Sequence, residues 1–384
     1  MRILYSVQSI QPPLTGVGRY AYQLARGLEQ HPALDELAFF AGHRKVGLPD
    51  PAQAAPSLGR RWRDWVPFKP LARRAYHALR DLRAASSLRA LGEDYLFHEP
   101  NYILGPYRGP SVITIHDLSH LHFPQFHPAD RVDYFNRELP ASVERAEHII
   151  TVSHFVRQEI IKVLGVAPER VSVTYNGVDP RYRPAEAATL APVLARYGLA
   201  DLRYLLVVGT LEPRKNLQGL IEAYESLPAA WQQQHPLVLA GARGWGEAAF
   251  LSRLERLEQR GRVLRLGYVP EADLPHLYAG ASGFAFPSVY EGFGLPALEA
   301  LACGVPTLVG SRSSLPEVVG EAALVVDTLS QDALRAGLER LMGDEAWRTE
   351  ARQRGPARAA EFTWARCVED TVAVYRQAWQ AAGG

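Results

Sequence analysis

Two carboxylates separated by seven residues, Glu291 and Glu299, are the side chains best placed to do chemistry. They lie in a stretch where an apolar run ends at Phe286, a polar loop with two glycines follows, and helical spacing begins near Pro296. Proline suits the first helical position, where no amide donor is lost. Gly292 and Gly294 remove side chains where backbone amides must approach a ligand. Free amides and the positive end of a helix dipole favour an anion such as a diphosphate. One carboxylate can then face a sugar hydroxyl while the other faces a ribose diol. Any one of these elements alone would fit a plain strand–loop–helix crossover; their combination fits a ligand loop.

A second cluster runs from Val207 through Gly209 to Glu212, Pro213, Arg214, Lys215 and Asn216. It reads as a strand, a glycine turn and a helix start. Arg214 and Lys215 there oppose the helix dipole, a penalty that a buried anion would offset. Charge-assisted bonds to a leaving diphosphate would stabilise the charge that develops as its bond breaks. A solvated basic turn is the plainer alternative. A third stretch, Gln11 to Tyr20, carries Gly16 and Gly18 between a strand and a helix. It lacks the full dinucleotide fingerprint and reads as a glycine loop lining a cleft. His116 ends another apolar run and could hydrogen-bond a donor hydroxyl or the reacting centre. His116, His120, His122 and His127 have no metal-ligand spacing, so no metal site is expected.

The elements that must position these residues alternate along the chain. Apolar runs at Ile3–Val7, Leu37–Phe40, Tyr95–His98, Ser111–Ile115, His148–Val152 and Val171–Tyr175 read as buried strands between helical stretches such as Tyr20–Glu29 and Phe155–Leu164. After a proline-containing pause from Asn176 to Asp201 the pattern restarts at Tyr204–Val208, Leu237–Ala240, Val263–Leu266, Gly283–Phe286, Thr307–Val309 and Ala323–Val326. This predicts two doubly wound α/β domains, 1–180 and 200–361, facing a central cleft. A helical, aromatic-rich segment at 362–384 is expected to pack back on the first domain.

Composition narrows the function classes. Forty-two basic and 41 acidic residues give a formal net charge of +1, which offers nothing to nucleic acid as a whole. Two cysteines make neither a disulfide framework nor a metal pattern. The first residues lack the apolar core of a signal peptide, and no run approaches the roughly 20 apolar residues that span a bilayer. A cytoplasmic protein is expected. Residues 60–89 hold nine basic and two acidic residues among Trp62, Trp65, Phe68 and Tyr76. Such a segment suits a peripheral contact with an anionic membrane or a lipid-linked acceptor, and equally an ordinary solvated helical insertion.

Glu291 and Glu299, Glu212 to Asn216, Gly16 with Gly18, and Leu266 to Pro270 followed by Leu274 to Tyr278 together resemble glycosyltransferase family 4. The resemblance covers nearly the whole chain and implies the GT-B fold, retention of anomeric configuration and no metal or other cofactor. It implies that Glu291 holds a hydroxyl of the transferred sugar and Glu299 the ribose. Amides from Phe293 to Leu295 would contact sugar and phosphate, Arg214 and Lys215 the diphosphate, and Gly18 would approach it from the other domain. Gly209 would line the same donor site, Tyr268 and Val269 would contact the base, and His116 would lie near the donor sugar. The character of Asn101 to Phe123 and Gly241 to Gly246 is similar to mannosyl- and rhamnosyltransferases of bacterial O-antigen assembly. A GDP-sugar donor and a glycan or lipid-linked glycan acceptor are therefore expected. Rival readings are a GT-B epimerase, hydrolase or phosphorylase, and a non-catalytic glycan-binding subunit.

Overall fold

Runs such as Ser111–Ile115 and Gly283–Phe286 have no polar face to turn towards water, so both faces must be covered, as in a parallel sheet between helices. The structure, a computed structural model, describes residues 1–51, 85–90, 92, 94–210, 212–242 and 248–383. The basic aromatic stretch at 60–89 falls outside the described residues up to residue 84, as do residues 243–247. Two units result. One comprises Met1–Leu118, Ala129–Asn176 and Trp364–Gly384, the other Ser119–Pro128 and Gly177–Thr363.

The first unit is built on strands β1 (Arg2–Ser6), β2 (Glu36–Phe40), β3 (Lys45–Val46), β4 (Leu96–Glu99), β5 (Ser111–Ile115), β6 (His148–Thr151) and β7 (Val171–Val173). Their order is β3-β2-β1-β4-β5-β6-β7, parallel throughout except for β3 against β2. Every apolar run expected to form a strand does so, with ends displaced by at most two residues. The addition is β3, a two-residue edge strand too short to show a hydrophobic period. A short edge bearing a lysine also discourages pairing with another chain.

The last helix, Trp364–Ala381, belongs to this first unit. Cys367, Val368, Thr371, Val372, Val374, Tyr375 and Ala378 fall on one face and are buried. Tyr375 and His98 are both fully buried, joined at 2.6 Å between the phenol oxygen and Nδ1. His98 Nε2 lies 2.8 Å from Thr114 Oγ1, which lies 3.0 Å from the Tyr20 hydroxyl. This polar chain ties the helix to β4 and β5, and burial lowers the His98 pKa to about 3, which keeps the ring neutral.

The second unit holds β8 (Leu205–Val208), β9 (Leu237–Ala240), β10 (Val263–Gly267), β11 (Gly283–Phe286), β12 (Thr307–Gly310) and β13 (Leu324–Val326). They are all parallel, in the order β10-β9-β8-β11-β12-β13. Helices Leu217–Glu225 and Gln331–Gly343 cover one face, burying Leu220, Ile221, Tyr224, Leu334, Leu338 and Leu341. Each such leucine contributes about 1.5–3 kcal/mol relative to exposure. The segment Ser119–Pro128 also belongs here: the rings of His122 and Phe123 lie 5.7 and 5.4 Å from that of Tyr290.

Candidate active site

In the second sheet the chain first builds outward from β8 through β9 to β10, then returns to add β11, β12 and β13 on the other side. The order reverses between β8 and β11, and crossover helices leave on opposite faces there. That opens a crevice at the carboxyl ends of the two strands, the usual ligand position in such sheets. The two motifs richest in chemistry emerge from these ends: Gly209 to Asn216 after β8, and the loop to Leu295 after β11.

The structure joins them through one carboxylate. Lys215 Nζ donates to Glu291 Oε1 at 2.5 Å and Arg214 Nη1 to Glu291 Oε2 at 3.1 Å. Arg214 also donates to the Tyr290 carbonyl at 2.8 Å, while Val289 N donates to the Arg214 carbonyl at 3.0 Å. Glu212 lies 3.6 Å from Arg214. The three central side chains are 14%, 18% and 9% exposed for Arg214, Lys215 and Glu291, so water screens them little. Burial is the strongest influence on Glu291 and pushes its pKa up; Arg214 and Lys215 together outweigh it and hold the carboxyl below its ordinary range. On Lys215 burial dominates and lowers the pKa, and Glu291 restores it only in part against repulsion from Arg214.

Two expectations change in detail. Arg214 and Lys215 do not open a helix: they lie on the 3₁₀ turn Pro213–Lys215, and the helix begins at Leu217 after Asn216, whose φ is +51°. The tight turn aims both cations at the β11 loop, and the anion that balances them here is Glu291, whose carboxylate they occupy. Gly294 has a reason beyond ligand approach. Its φ is +100°, and a Cβ there would sit 2.5 Å from Leu315 Cδ2, so the residue is needed to bend the chain into helix Leu295–Ala302. Gly292 and Phe293 are buried, with Phe293 edge-on to Phe362 at 5.8 Å, and Leu295 is half-buried. Glu299 is buried one turn into the helix. Pro296 takes its second position, where it also lacks an intrahelical partner.

Gly209, Gly241 and Gly267 end β8, β9 and β10 side by side. Gly209 N donates to the Ala240 carbonyl at 2.9 Å and Gly241 N to the Gly267 carbonyl at 2.8 Å. A Cβ on Gly241 would come within 2.0 Å of the Gly209 carbonyl oxygen. Beyond this row Tyr268 is 57% exposed and Val269 is buried. Sequence reasoning missed Ser313 and Ser314, which fix the backbone of Glu291. Its amide donates to Ser313 Oγ at 2.9 Å, and Ser314 Oγ donates to its carbonyl at 2.8 Å. Their only signal was a place just past the carboxyl end of β12.

The remaining candidates lie in the first unit. His116 follows β5, is 8% exposed, and its Nε2 lies 2.8 Å from the Pro100 carbonyl. A carbonyl only accepts, so Nε2 carries the proton and Nδ1 is the acceptor of the neutral ring. Burial lowers its pKa, and Tyr20 meets the ring edge-on at 4.8 Å. Gly16 and Gly18 form no loop. They are the first turn of helix Gly16–Leu28, where Thr15 Oγ1 accepts from Gly18 N at 3.3 Å. A Cβ on Gly18 would meet the Ser9 carbonyl at 3.0 Å, so close chain packing explains that glycine. Among the described residues no group of His, Cys, Asp and Glu has the arrangement of a metal site.

Comparison with known proteins agrees with this architecture. Residues 14–182 match the family described as Glycosyltransferase Family 4, and residues 197–358 match Glycosyl transferases group 1. The chain is 40% identical over 380 residues to O-antigen chain mannosyltransferase B of Escherichia coli, spanning 98% of this chain and 100% of the relative. Sucrose-phosphate synthase from Thermosynechococcus elongatus superposes with a TM-score of 0.71 at 21% identity, covering 99% of this chain and 100% of that one. WaaG, a glycosyltransferase involved in lipopolysaccharide biosynthesis, superposes with a TM-score of 0.70 at 18% identity over the full length of both. Two doubly wound units, the cationic pair at a switch point and these matches lead to one conclusion: the chain belongs to glycosyltransferase family 4 and is a glycosyltransferase of the GT-B fold.

Proposed function

We propose that the chain transfers a hexose, mannose or rhamnose, from a GDP-linked donor to a glycan or lipid-linked glycan acceptor in O-antigen assembly, with retention and without a catalytic metal. The observation that carries this reading is the pair Arg214 and Lys215, held together at the switch point of the second sheet. The name of the Escherichia coli relative supports mannose and O-antigen assembly. No described helix is long and apolar enough to cross a membrane. Work at the inner face of the cytoplasmic membrane rests on the basic aromatic residues at 60–89.

In the reaction the bond from the sugar C1 to the phosphate oxygen breaks and its electron pair stays on the phosphate. Arg214 and Lys215, bonded here to Glu291, turn to the phosphate and stabilise that charge from a desolvated position. The acceptor hydroxyl oxygen bonds to C1 on the same face, and its proton passes to the departing phosphate, as the family resemblance implies. Glu291, drawn off the cations by the competing phosphates, is placed to hold a hydroxyl of the transferred sugar. Glu299 holds the ribose. Catalysis then rests on position and charge, with no cofactor beyond the donor.

A thermal-shift screen of GDP-mannose, GDP-rhamnose and UDP-glucose, followed by transfer assays with and without chelator, tests the proposal. GDP-mannose or GDP-rhamnose is expected to raise the melting temperature, and transfer to survive chelation. Indifference to every nucleotide sugar, or a strict need for a divalent cation, would overturn it.

A further inference from the structure

The turn that carries the cation pair is fastened from a side that the donor chemistry above does not use. Asn216, the residue after Lys215, has a φ of +51°, a left-handed conformation that asparagine adopts more readily than most side chains. Its Nδ2 donates to the Thr328 carbonyl at 2.7 Å, across 112 residues. Thr328 lies just past β13, is buried, and comes two residues before the Ser330 cap of helix Gln331–Gly343. Asn216 itself precedes helix Leu217–Glu225. One hydrogen bond thus joins the starts of the two helices that cover this face of the second sheet.

Gly219 shows how that amide is seated. It is buried at the third position of helix Leu217–Glu225, where glycine weakens a helix relative to alanine. Its φ is not positive, so the backbone does not demand a glycine there. The three atoms that a Cβ would meet first all belong to Asn216: Oδ1 at 2.6 Å, Nδ2 at 3.0 Å and Cγ at 3.1 Å. Alanine would push the amide away from Thr328. The room taken by the Asn216 side chain explains the glycine.

The cations depend on this link. Pro213–Lys215 is a single 3₁₀ turn, too short to fix by its own hydrogen bonds the direction of two long side chains. The Arg214 carbonyl is held by Val289 N at 3.0 Å, and Asn216 N donates back to the Pro213 carbonyl at 2.9 Å. The bond to Thr328 anchors the end of the turn next to Lys215, whose Nζ lies 4.9 Å from the centre of the Phe286 ring. Were only the left-handed backbone needed, glycine would serve at 216 equally well; it cannot supply the bond to Thr328. Resting on the transferase reading, we infer that Asn216 is a positioning residue, whose amide, seated in the space left by Gly219, aims Arg214 and Lys215 at the leaving phosphate.

The test is steady-state transfer from GDP-mannose or GDP-rhamnose to methyl α-mannobioside by the full chain, in Asn216→Gly, Gly219→Ala and the double variant. Amide exchange over the turn Pro213–Lys215 and melting with each donor are followed in parallel. Glycine at 216 keeps the left-handed backbone, and alanine at 219 favours the helix. Each single variant should lose about tenfold in kcat, less than the 10²–10³-fold of deleting a donor outright. The donor KM should stay within about twofold, as for an interaction that counts mainly in the transition state. Gly219→Ala should cost nothing further in the Asn216→Gly background, where the crowded amide is gone. Full kcat in Gly219→Ala, a loss confined to KM, or losses that multiply in the double variant would overturn the inference. A parent that neither donor stabilises, with exchange faster in both single variants and no faster again in the double, would sink the donor reading and support the link. The same parent with exchange unchanged in the variants would sink both.

Discussion

Glu291→Gln separates the structural from the chemical role of the buried charge cluster. The amide keeps the size of the carboxylate but can offer its oxygen to only one of two cations, because its other end is a donor. Arg214 keeps its bond to the Tyr290 carbonyl, so the loss is one charge-assisted hydrogen bond, about 2 kcal/mol. An isolated buried charge would cost about 3–5 kcal/mol. For a unit of this size the loss of about 2 kcal/mol is a fall of about 4–8 °C in melting temperature. GDP at a hundred times its dissociation constant adds about 2.7 kcal/mol, and its phosphates offer the cations the acceptor that the amide withdrew. GDP should therefore raise the melting temperature of the variant by more than that of the parent. The sign with pH follows from the lowered pKa of Glu291. Its contribution is complete above the ordinary carboxylate range and disappears as pH falls through the folded-state value. Scanning fluorimetry at pH 7 should show the full gap between parent and variant, and the gap should narrow in acid. Equal melting at pH 7, or a larger GDP effect on the parent, would refute the reasoning.

Three further outcomes are expected. Lys215→Ala should cut transfer about 10²–10³-fold, the scale of losing one preorganised donor to a developing anion, with unchanged far-ultraviolet circular dichroism; near-normal turnover would remove Lys215 from the mechanism. Gly241→Ala drives a methyl group onto the Gly209 carbonyl, a backbone atom that cannot swing aside. It should cost about 1–3 kcal/mol or more in urea unfolding, and an unchanged midpoint would count against the glycine row. Tyr375→Phe leaves buried His98 Nδ1 without its phenol, and should cost about 1–3 kcal/mol by the same assay.

The strands could be read from sequence because parallel sheets bury both faces, so Gly283–Phe286 appears as an unbroken apolar run and Ser111–Ile115 as a mainly β-branched one. Strand β3 could not, since two residues have no period. Gly16 and Gly18 suggested a loop because a glycine pair reads the same between two elements as in the first turn of helix Gly16–Leu28, where Gly18 packs against Ser9. In the candidate site, Arg214, Lys215 and Glu291 stood out by residue type and position. That they hold one another depends on β8 and β11 being neighbours, a long-range pairing with no local mark. Ser313 and Ser314 were silent for the same reason: a serine supporting a backbone across 22 or 23 residues is indistinguishable from one in any turn.

Helix Trp364–Ala381 has a consequence for biogenesis. It supplies Tyr375 and Cys367 to the interior of a unit whose sheet is otherwise complete by β7. A ribosome adding roughly 5–20 residues per second needs about 10–40 s to travel from the end of β7 to that helix. Throughout that interval the nascent sheet presents the apolar surface of β4 and β5 to the cell, while the strands of the second unit, Leu205 to Val326, are still being made. The half made earliest is thus finished last, and a chaperone that shields it would act on chains still attached to the ribosome.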